Sequence, residues 1–326
     1  MKALLCKAFG PLENLRVEDI EAPNAGPGQV LVSIRAAALN FPDALIVQGL
    51  YQVKPALPFS PGAEFAGVVK TVGEGVSHLK VGDRVMALVP HGALAEECAV
   101  DARGVIPLPD DMDFVTGSAL LLTYCTSLHA LNDVARLAAS ETLLVLGASG
   151  GVGIAAIEIG KLMGARVIAA ASSEEKLALC REHGADETID YARDDLRERV
   201  DALTEKRGVD VVYDAVGGAY SEVALRATGW GGRLLVVGFA TGDIPRLPLN
   251  LALLKERQIL GVYWGDWAKR NPKLQQVHLL QLLEWFRDGK ISPPVTEQLP
   301  LSGAVDALQR MARREVRGKL VVLAGH

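Results

Sequence analysis

The stretch Leu143–Gly153, LLVLGASGGVG, admits two chemistries. Gly147 to Gly151 spell G-x-S-x-G, the sharp strand-to-helix turn that aims a nucleophilic serine in α/β-hydrolases. Taken seven residues long, Gly147 to Gly153 is a glycine-rich turn of the kind that holds a dinucleotide pyrophosphate. A serine nucleophile needs an acid and then a histidine on a loop later in the chain. His278 falls within a helical pattern of apolar residues, His326 ends the sequence, and His183 lies in the helix after the next strand. None is well placed. The dinucleotide reading instead gives every glycine a task. Gly147 permits the tight turn, Gly150 and Gly151 let backbone approach pyrophosphate, and Gly153 lets the helix pack closely on the sheet. Ser149 is then a phosphate ligand, beside a helix start whose N–H groups and dipole favour an anion.

The end of the following strand bears on which dinucleotide. An NAD-preferring fold places Asp or Glu there, roughly twenty residues after the turn, to bind the ribose 2′-OH. This chain has Ala171-Ser172-Ser173-Glu174-Glu175-Lys176. The tip residue is Ala171, so the acidic anchor is absent. Ser172 and Ser173 can donate to a phosphate and Lys176 can supply charge, which points to NADPH. Ser173 also suits a helix cap, and Glu174 and Glu175 fit the first turn of a helix through its dipole.

These residues need a strand-helix framework to position them. Residues 1 to about 120 are rich in short strand-like runs broken by Gly and Pro, such as Val30–Ile34, Glu64–Val69 and Val85–Val89. That spacing predicts an all-β unit. From about 122 strands alternate with helices: strands at Thr142–Leu146, Arg166–Ala171, Val209–Ala215, Arg233–Gly238 and Ile259–Trp264, helices at Gly150–Met163 and Glu174–His183. Near-continuously apolar strands are buried on both faces, the mark of a parallel sheet covered by helices. The fold class is α/β, a Rossmann-type doubly wound parallel sheet with a mainly-β companion. The expected domains are 1–121, 122–258, and a tail, 259–326, that rejoins the β unit through a long helix (Lys273–Asp288), a Pro-Pro turn, a shorter helix and a terminal strand (Gly318–Leu323).

Composition excludes several function classes. Net charge is −5 and the 34 Lys and Arg are scattered, without the basic stripe that nucleic acid needs. No apolar run approaches the ~18 residues of a membrane span, and the N-terminal apolar run stops at Lys7, too short for a secretory core; a cytoplasmic protein is expected. Cys6, Cys98, Cys125 and Cys180 make no disulfide framework. Cys125 and His129 lie i,i+4, but a zinc site wants four ligands, so no metal site is expected.

With these residues assembled, the chain resembles the zinc-free quinone oxidoreductases of the medium-chain dehydrogenase/reductase superfamily, the group that includes zeta-crystallin. The resemblance rests on Ala38-Leu39-Asn40-Phe41-Pro42-Asp43, Gly49-Leu50-Tyr51, Pro58–Val69 (PFSPGAEFAGVV), Val81-Gly82-Asp83-Arg84-Val85 and the glycine turn, and covers essentially the whole chain. It implies a GroES-like catalytic domain for the β unit. Zinc-dependent relatives carry Cys where Asn40 stands and His where Ala63 stands, so the resemblance implies a metal-free protein.

The resemblance also implies site roles. Tyr51 lines the nicotinamide and substrate pocket, and Asn40 orients the cofactor ribose or the substrate carbonyl. Thr126 contacts the nicotinamide side, Ser149, Gly150, Gly151 and Val152 hold the pyrophosphate, and Tyr191 joins Ser172, Ser173 and Lys176 around the 2′-phosphate. Gly217, Val237, Gly238, Phe239 and Ala240 lie at strand ends, where open parallel sheets bind ligands. Tyr263, Trp264 and Gly265 close over the nicotinamide. Leu45 stands where some relatives have a second tyrosine. The expected activity is NADPH-dependent hydride transfer to a quinone or other conjugated carbonyl, an enone or enal; the alternatives are an enoyl-thioester reductase and, in another class, a non-catalytic crystallin-like protein that binds NADPH or RNA. A homodimer is expected, joined by a sheet edge near the segment holding Leu247, Leu249, Leu251, Leu253 and Leu254.

Overall fold

The computed structural model describes residues 1–324. The chain forms two compact units, Met1–Leu122 together with the chain from Pro293 onwards, and Thr123–Ser292.

The first unit opens with a small antiparallel pair, β1 (Lys2–Leu5) and β2 (Arg16–Asp19). Its main strands are β3 (Gln29–Ala38), β4 (Glu64–Val72), β5 (Arg84–Leu88), β6 (Glu97–Asp101) and β7 (Val105–Pro107). Helix α1 (Phe41–Val47) follows β3, and α2 (Phe114–Ser118) follows β7. Turn residues separate these strands as the sequence predicts, and Val30, Val32, Ile34, Phe65 and Val85 meet in one core.

Helix α3 (Leu121–Leu128) leads into the second unit and runs on as a π-helical turn, His129–Val134. There strands and helices alternate: β8 (Thr142–Leu146), α4 (Gly151–Leu162), β9 (Arg166–Ala171), α5 (Glu174–Glu182), β10 (Glu187–Asp190), α6 (Leu196–Leu203), β11 (Val209–Asp214), α7 (Ala219–Arg226), β12 (Thr228–Val236), α8 (Asn250–Leu253) and β13 (Gln258–Gly261). Helices α9 (Trp264–Arg270) and α10 (Pro272–Arg287) complete the unit. The sheet order is β10-β9-β8-β11-β12-β13 with every pair parallel. The order reverses between β8 and β11, the switch point at which such sheets bind ligands beyond the strands' carboxyl ends.

The tail adds β14 (Val295–Pro300), α11 (Ala304–Ala312) and β15 (Lys319–Leu323) to the first unit. Strand β15 pairs antiparallel with β3, Val321 opposite Ala38, giving the order β14-β15-β3-β4-β5-β7 with β6 also on β3. Among the described residues no helix is long and apolar enough to cross a membrane.

Four expectations need correction. The tail divides at 292/293 rather than 258/259, because β13 and α10 stay with the parallel sheet's unit. Strand β12 covers Thr228–Val236, not Arg233–Gly238: the N–H groups of Val237 and Gly238 turn to the Asp214 carbonyl, 2.9 and 3.2 Å away. Strand β13 stops at Gly261, and Trp264, expected in a strand, opens α9. Strands β10 and β14 were not anticipated; both are short, and three of the four residues of β10 and four of the six of β14 are polar or proline.

One close approach fixes the β8–α4 junction. A Cβ on Gly153 would lie 2.6 Å from the carbonyl oxygens of both Gly147 and Ala148. Gly153→Ala must therefore push α4 away from the turn, a strain worth about 1–3 kcal/mol. A lowered urea midpoint with an unchanged m-value is expected; an unchanged midpoint would show that the contact relaxes freely.

Candidate functional site

The glycine turn follows β8, whose Leu143 to Leu146 are fully buried. Gly147 has φ +66°, the left-handed region that favours glycine. Gly150 is the N-cap of α4 and no side chain caps that helix. Helices α5 and α6 differ, for Ser173 and Asp195 accept from their N3 N–H groups. The first N–H groups of α4 are thus left to an external acceptor, at the positive end of a helix dipole. Ser149 is buried at the same turn. These residues fit a pyrophosphate.

The predicted adenosine-end residues gather at the tip of β9. Tyr191 N–H donates to the carbonyl of Ala171 at 3.1 Å, and its ring lies 4.6 Å from that of Tyr220. Lys176 Nζ donates to Ser172 Oγ at 3.2 Å, and Ser173 Oγ accepts from Lys176 N–H. Glu174 pairs with Arg181, so its charge is partly compensated along its own helix. The ammonium and two hydroxyls stand where an acidic residue would otherwise repel a phosphate.

Asp214, at the end of β11, organises the next loops. This buried carboxylate accepts from Val216 and Gly217 N–H, each at 2.9 Å, and from the Ser221 hydroxyl. Its carbonyl takes Val237 and Gly238, while Ala240 N–H reaches the Ala215 carbonyl at 3.1 Å. Gly217 has φ +74°, and a Cβ there would meet Phe239 at 2.8 Å. Gly217 and Val237 to Ala240 therefore form one surface. Trp264 Nε1 donates to Gln275 Oε1 at 2.8 Å, and Gln275 Nε2 donates to Cys125 Sγ at 3.3 Å. That links Trp264 to the residue beside the half-buried Thr126, and Tyr263 is exposed. The His129 ring bonds Asp133 at 2.8 Å.

In the first unit Asn40 is buried, and its side chain is engaged within the protein. Its Nδ2 donates to Glu64 Oε1 at 2.8 Å and to the Ala38 carbonyl at 3.3 Å, while its Oδ1 accepts from Lys319 Nζ at 2.6 Å. Lys319 also donates to Glu64 Oε1 at 2.7 Å, and Leu122 N–H donates to Glu64 Oε2 at 3.0 Å. The Asn40 N–H is received by Asp43 Oδ2 at 2.8 Å. Tyr51, beyond the end of α1, is partly buried against the same core. Sequence reasoning missed Glu64, Lys319, Asp43 and Asp214. A charged residue opening an apolar run was the available signal in Glu64-Phe65-Ala66 and Lys319-Leu320-Val321.

Burial pushes the Asp43 carboxyl up from 3.8 to about 7, against the opposing pull of the Asn40 N–H and the Lys319 ammonium. Between those values the folded chain keeps a proton that the unfolded chain releases. This group's contribution to stability is complete below about pH 4 and is lost as pH rises through about 7. Relative to Asp43→Ala, the unfolding free energy of the parent chain should fall between pH 5 and 6.5 by close to one proton's slope, about 1.4 kcal/mol per pH unit. Parallel pH profiles for the two proteins would contradict the assignment.

Two family models match the chain in order. The alcohol dehydrogenase GroES-like domain covers residues 26–110, and the zinc-binding dehydrogenase domain covers residues 151–281. Quinone oxidoreductase-like protein 2 of Bos taurus is 37% identical over 94% of this chain and 88% of its own. Quinone oxidoreductase of Pseudomonas aeruginosa is 36% identical, covering 99% of both. A mycobacterial protein solved in complex with NADPH superposes with a TM-score of 0.92 at 30% identity, over 99% of this chain and 100% of that one. With its parallel-sheet unit, its GroES-like unit and these relatives along nearly its whole length, the chain belongs to the quinone oxidoreductase family of the medium-chain dehydrogenase/reductase superfamily.

Proposed function

We propose that the protein is an NADPH-dependent, zinc-independent oxidoreductase that passes hydride to a quinone or another conjugated carbonyl, an enone or enal. The observation that carries this reading is the Lys176–Ser172 pair beside Ala171, at the strand tip where an acidic residue would select NAD. The NADPH held by the mycobacterial relative supports it. The main chain of Ser149 to Val152 would hold the pyrophosphate, and Ser172, Ser173, Lys176 and Tyr191 the 2′-phosphate. Thr126, Gly217, Val237 to Ala240 and Tyr263 to Gly265 would serve the nicotinamide end. Bound there, the cofactor supplies the hydride, and the protein aligns it and excludes water.

Zinc independence rests on residue types. An amide already bonded to Lys319 and Glu64 occupies position 40, a methyl group occupies position 63, and neither is a zinc ligand. Among the described residues no cluster of His, Cys, Asp and Glu is arranged to hold a metal ion. Without a strong Lewis acid, the acceptors that suit are those already activated by conjugation. Tyr51 is assigned to the acceptor. Asn40, its amide turned toward Lys319 and Glu64, is assigned to holding the acceptor-side backbone rather than to gripping a carbonyl.

Strand β13 is a sheet edge, and Leu249, Leu253 and Leu254 near it are exposed. An edge with apolar neighbours calls for a partner, here a second copy.

Steady-state NADPH oxidation with 1,4-benzoquinone, an enone and crotonyl-CoA tests the acceptor class. Turnover of the first two is expected, and turnover of crotonyl-CoA alone would move the assignment to enoyl thioesters. Lys176→Ala should raise KM for NADPH tenfold to a hundredfold, the ~1.5–3 kcal/mol of a charge-assisted contact, with NADH use almost unchanged. Equal losses with both cofactors would remove Lys176 from the phosphate site. Light scattering should give about twice the 34.7 kDa of one chain; a single-chain mass would defeat the dimer.

A further inference from the structure

Lys319 is 3% exposed and Glu64 1%, so both charges are withdrawn from water. Burying an ammonium and a carboxylate is costly, and a well-packed apolar pair often serves stability as well or better. What an apolar pair cannot supply is hydrogen-bond direction. Lys319 Nζ donates to Asn40 Oδ1 at 2.6 Å, Asn40 Nδ2 donates to Glu64 Oε1 at 2.8 Å, and Lys319 Nζ donates to that same oxygen at 2.7 Å. The ring closes on itself and admits one orientation of the Asn40 amide, oxygen toward the ammonium and nitrogen toward the carboxylate. It joins the end of β3, the start of α1, β4 and β15, and through Glu64 Oε2 it also holds the N–H of Leu122. Asn40 is the N-cap of α1, tied by its own N–H to Asp43, and α1 leads through Gln48 and Gly49 to Tyr51.

We infer that Lys319 is a positioning residue for hydride transfer: its buried ammonium fixes the Asn40 amide and thereby the start of α1 and the segment that carries Tyr51. The inference rests on the assignment of Tyr51 to the acceptor given above. Lys319 itself touches neither acceptor nor cofactor in this role, and its effect passes through Asn40. Its work is on the acceptor side alone, so cofactor affinity and turnover should separate.

The test uses the full chain and three variants, Lys319→Met, Lys319→Arg and the pair Lys319→Met with Glu64→Gln, which leaves no unpaired buried carboxylate. The readouts are NADPH affinity by fluorescence titration, kcat with 1,4-benzoquinone, thermal midpoint, and hydrogen exchange of the peptide 40–51 by mass spectrometry. Lys319→Met is expected to lower kcat at least tenfold with NADPH affinity changed less than threefold, and to speed exchange across 40–51. Lys319→Arg should recover most of both. The paired variant should recover the thermal midpoint but neither kcat nor slow exchange; should Lys319→Met not fold, the paired variant decides. Parent-like kcat and exchange in the paired variant, or a fall in NADPH affinity as large as the fall in kcat, would overturn the inference. If the parent protein binds NADPH but reduces no quinone or enone, the functional reading fails on its own, and exchange across 40–51 still decides whether Lys319 positions that segment.

Discussion

The second unit depends on backbone approaching backbone where β8 turns into α4. The carbonyls of Gly147 and Ala148 sit so near Gly153 that only a hydrogen fits between them. That proximity sets the helix against the sheet with no side chain capping its first N–H groups, a start that suits an anion. The rest of the unit extends from it. Strands β9 and β10 build to one side and β11 to β13 to the other, and Asp214 gathers the far loops by accepting from Val216 and Gly217. Ser149, an apparent nucleophile in the bare sequence, becomes a component of that turn.

The first unit solves a different problem. Its core is apolar, yet at one point it keeps an ammonium and a carboxylate under cover, with a second carboxyl, Asp43, that burial pushes up to about 7. Charges in such a place cost stability unless each lone pair and proton is used. Here Glu64 uses both oxygens and Asn40 both ends of its amide. Directional bonding of this kind specifies geometry more than it adds stability, and the geometry specified is that of α1.

Legibility in the sequence followed the range of the forces involved. The β8–α4 junction was readable because its strand is a local apolar run and its glycines are adjacent. The same held for β9 and for Ser172, Ser173 and Lys176, which lie within one turn of each other. Strand β10 (Glu187–Asp190) escaped because four residues, three of them polar, carry little period, and β14 because Pro294 precedes it, Pro300 ends it, and Thr296, Glu297 and Gln298 are polar. The 258/259 boundary was misplaced because α9 and α10 follow β13 in the same unit, and nothing in the composition of a surface helix marks which unit it covers. The sequence marks Glu64 and Lys319 singly, as charges opening apolar runs, but not their meeting: Glu64 is 24 residues from Asn40, and Lys319 is 279 residues from Asn40 and 255 from Glu64. Only the return of β15 to β3 brings them together, and a strand pairing that distant has no local signature.

The central claim is that this chain's nucleotide site reads a 2′-phosphate through Lys176 and its serine neighbours. Isothermal titration with 2′,5′-ADP and with 5′-AMP addresses it without any hydride acceptor or any substitution. The account predicts that 2′,5′-ADP binds at least tenfold more tightly, in line with a charge-assisted contact. Equal affinities, or tighter binding of 5′-AMP, would contradict it.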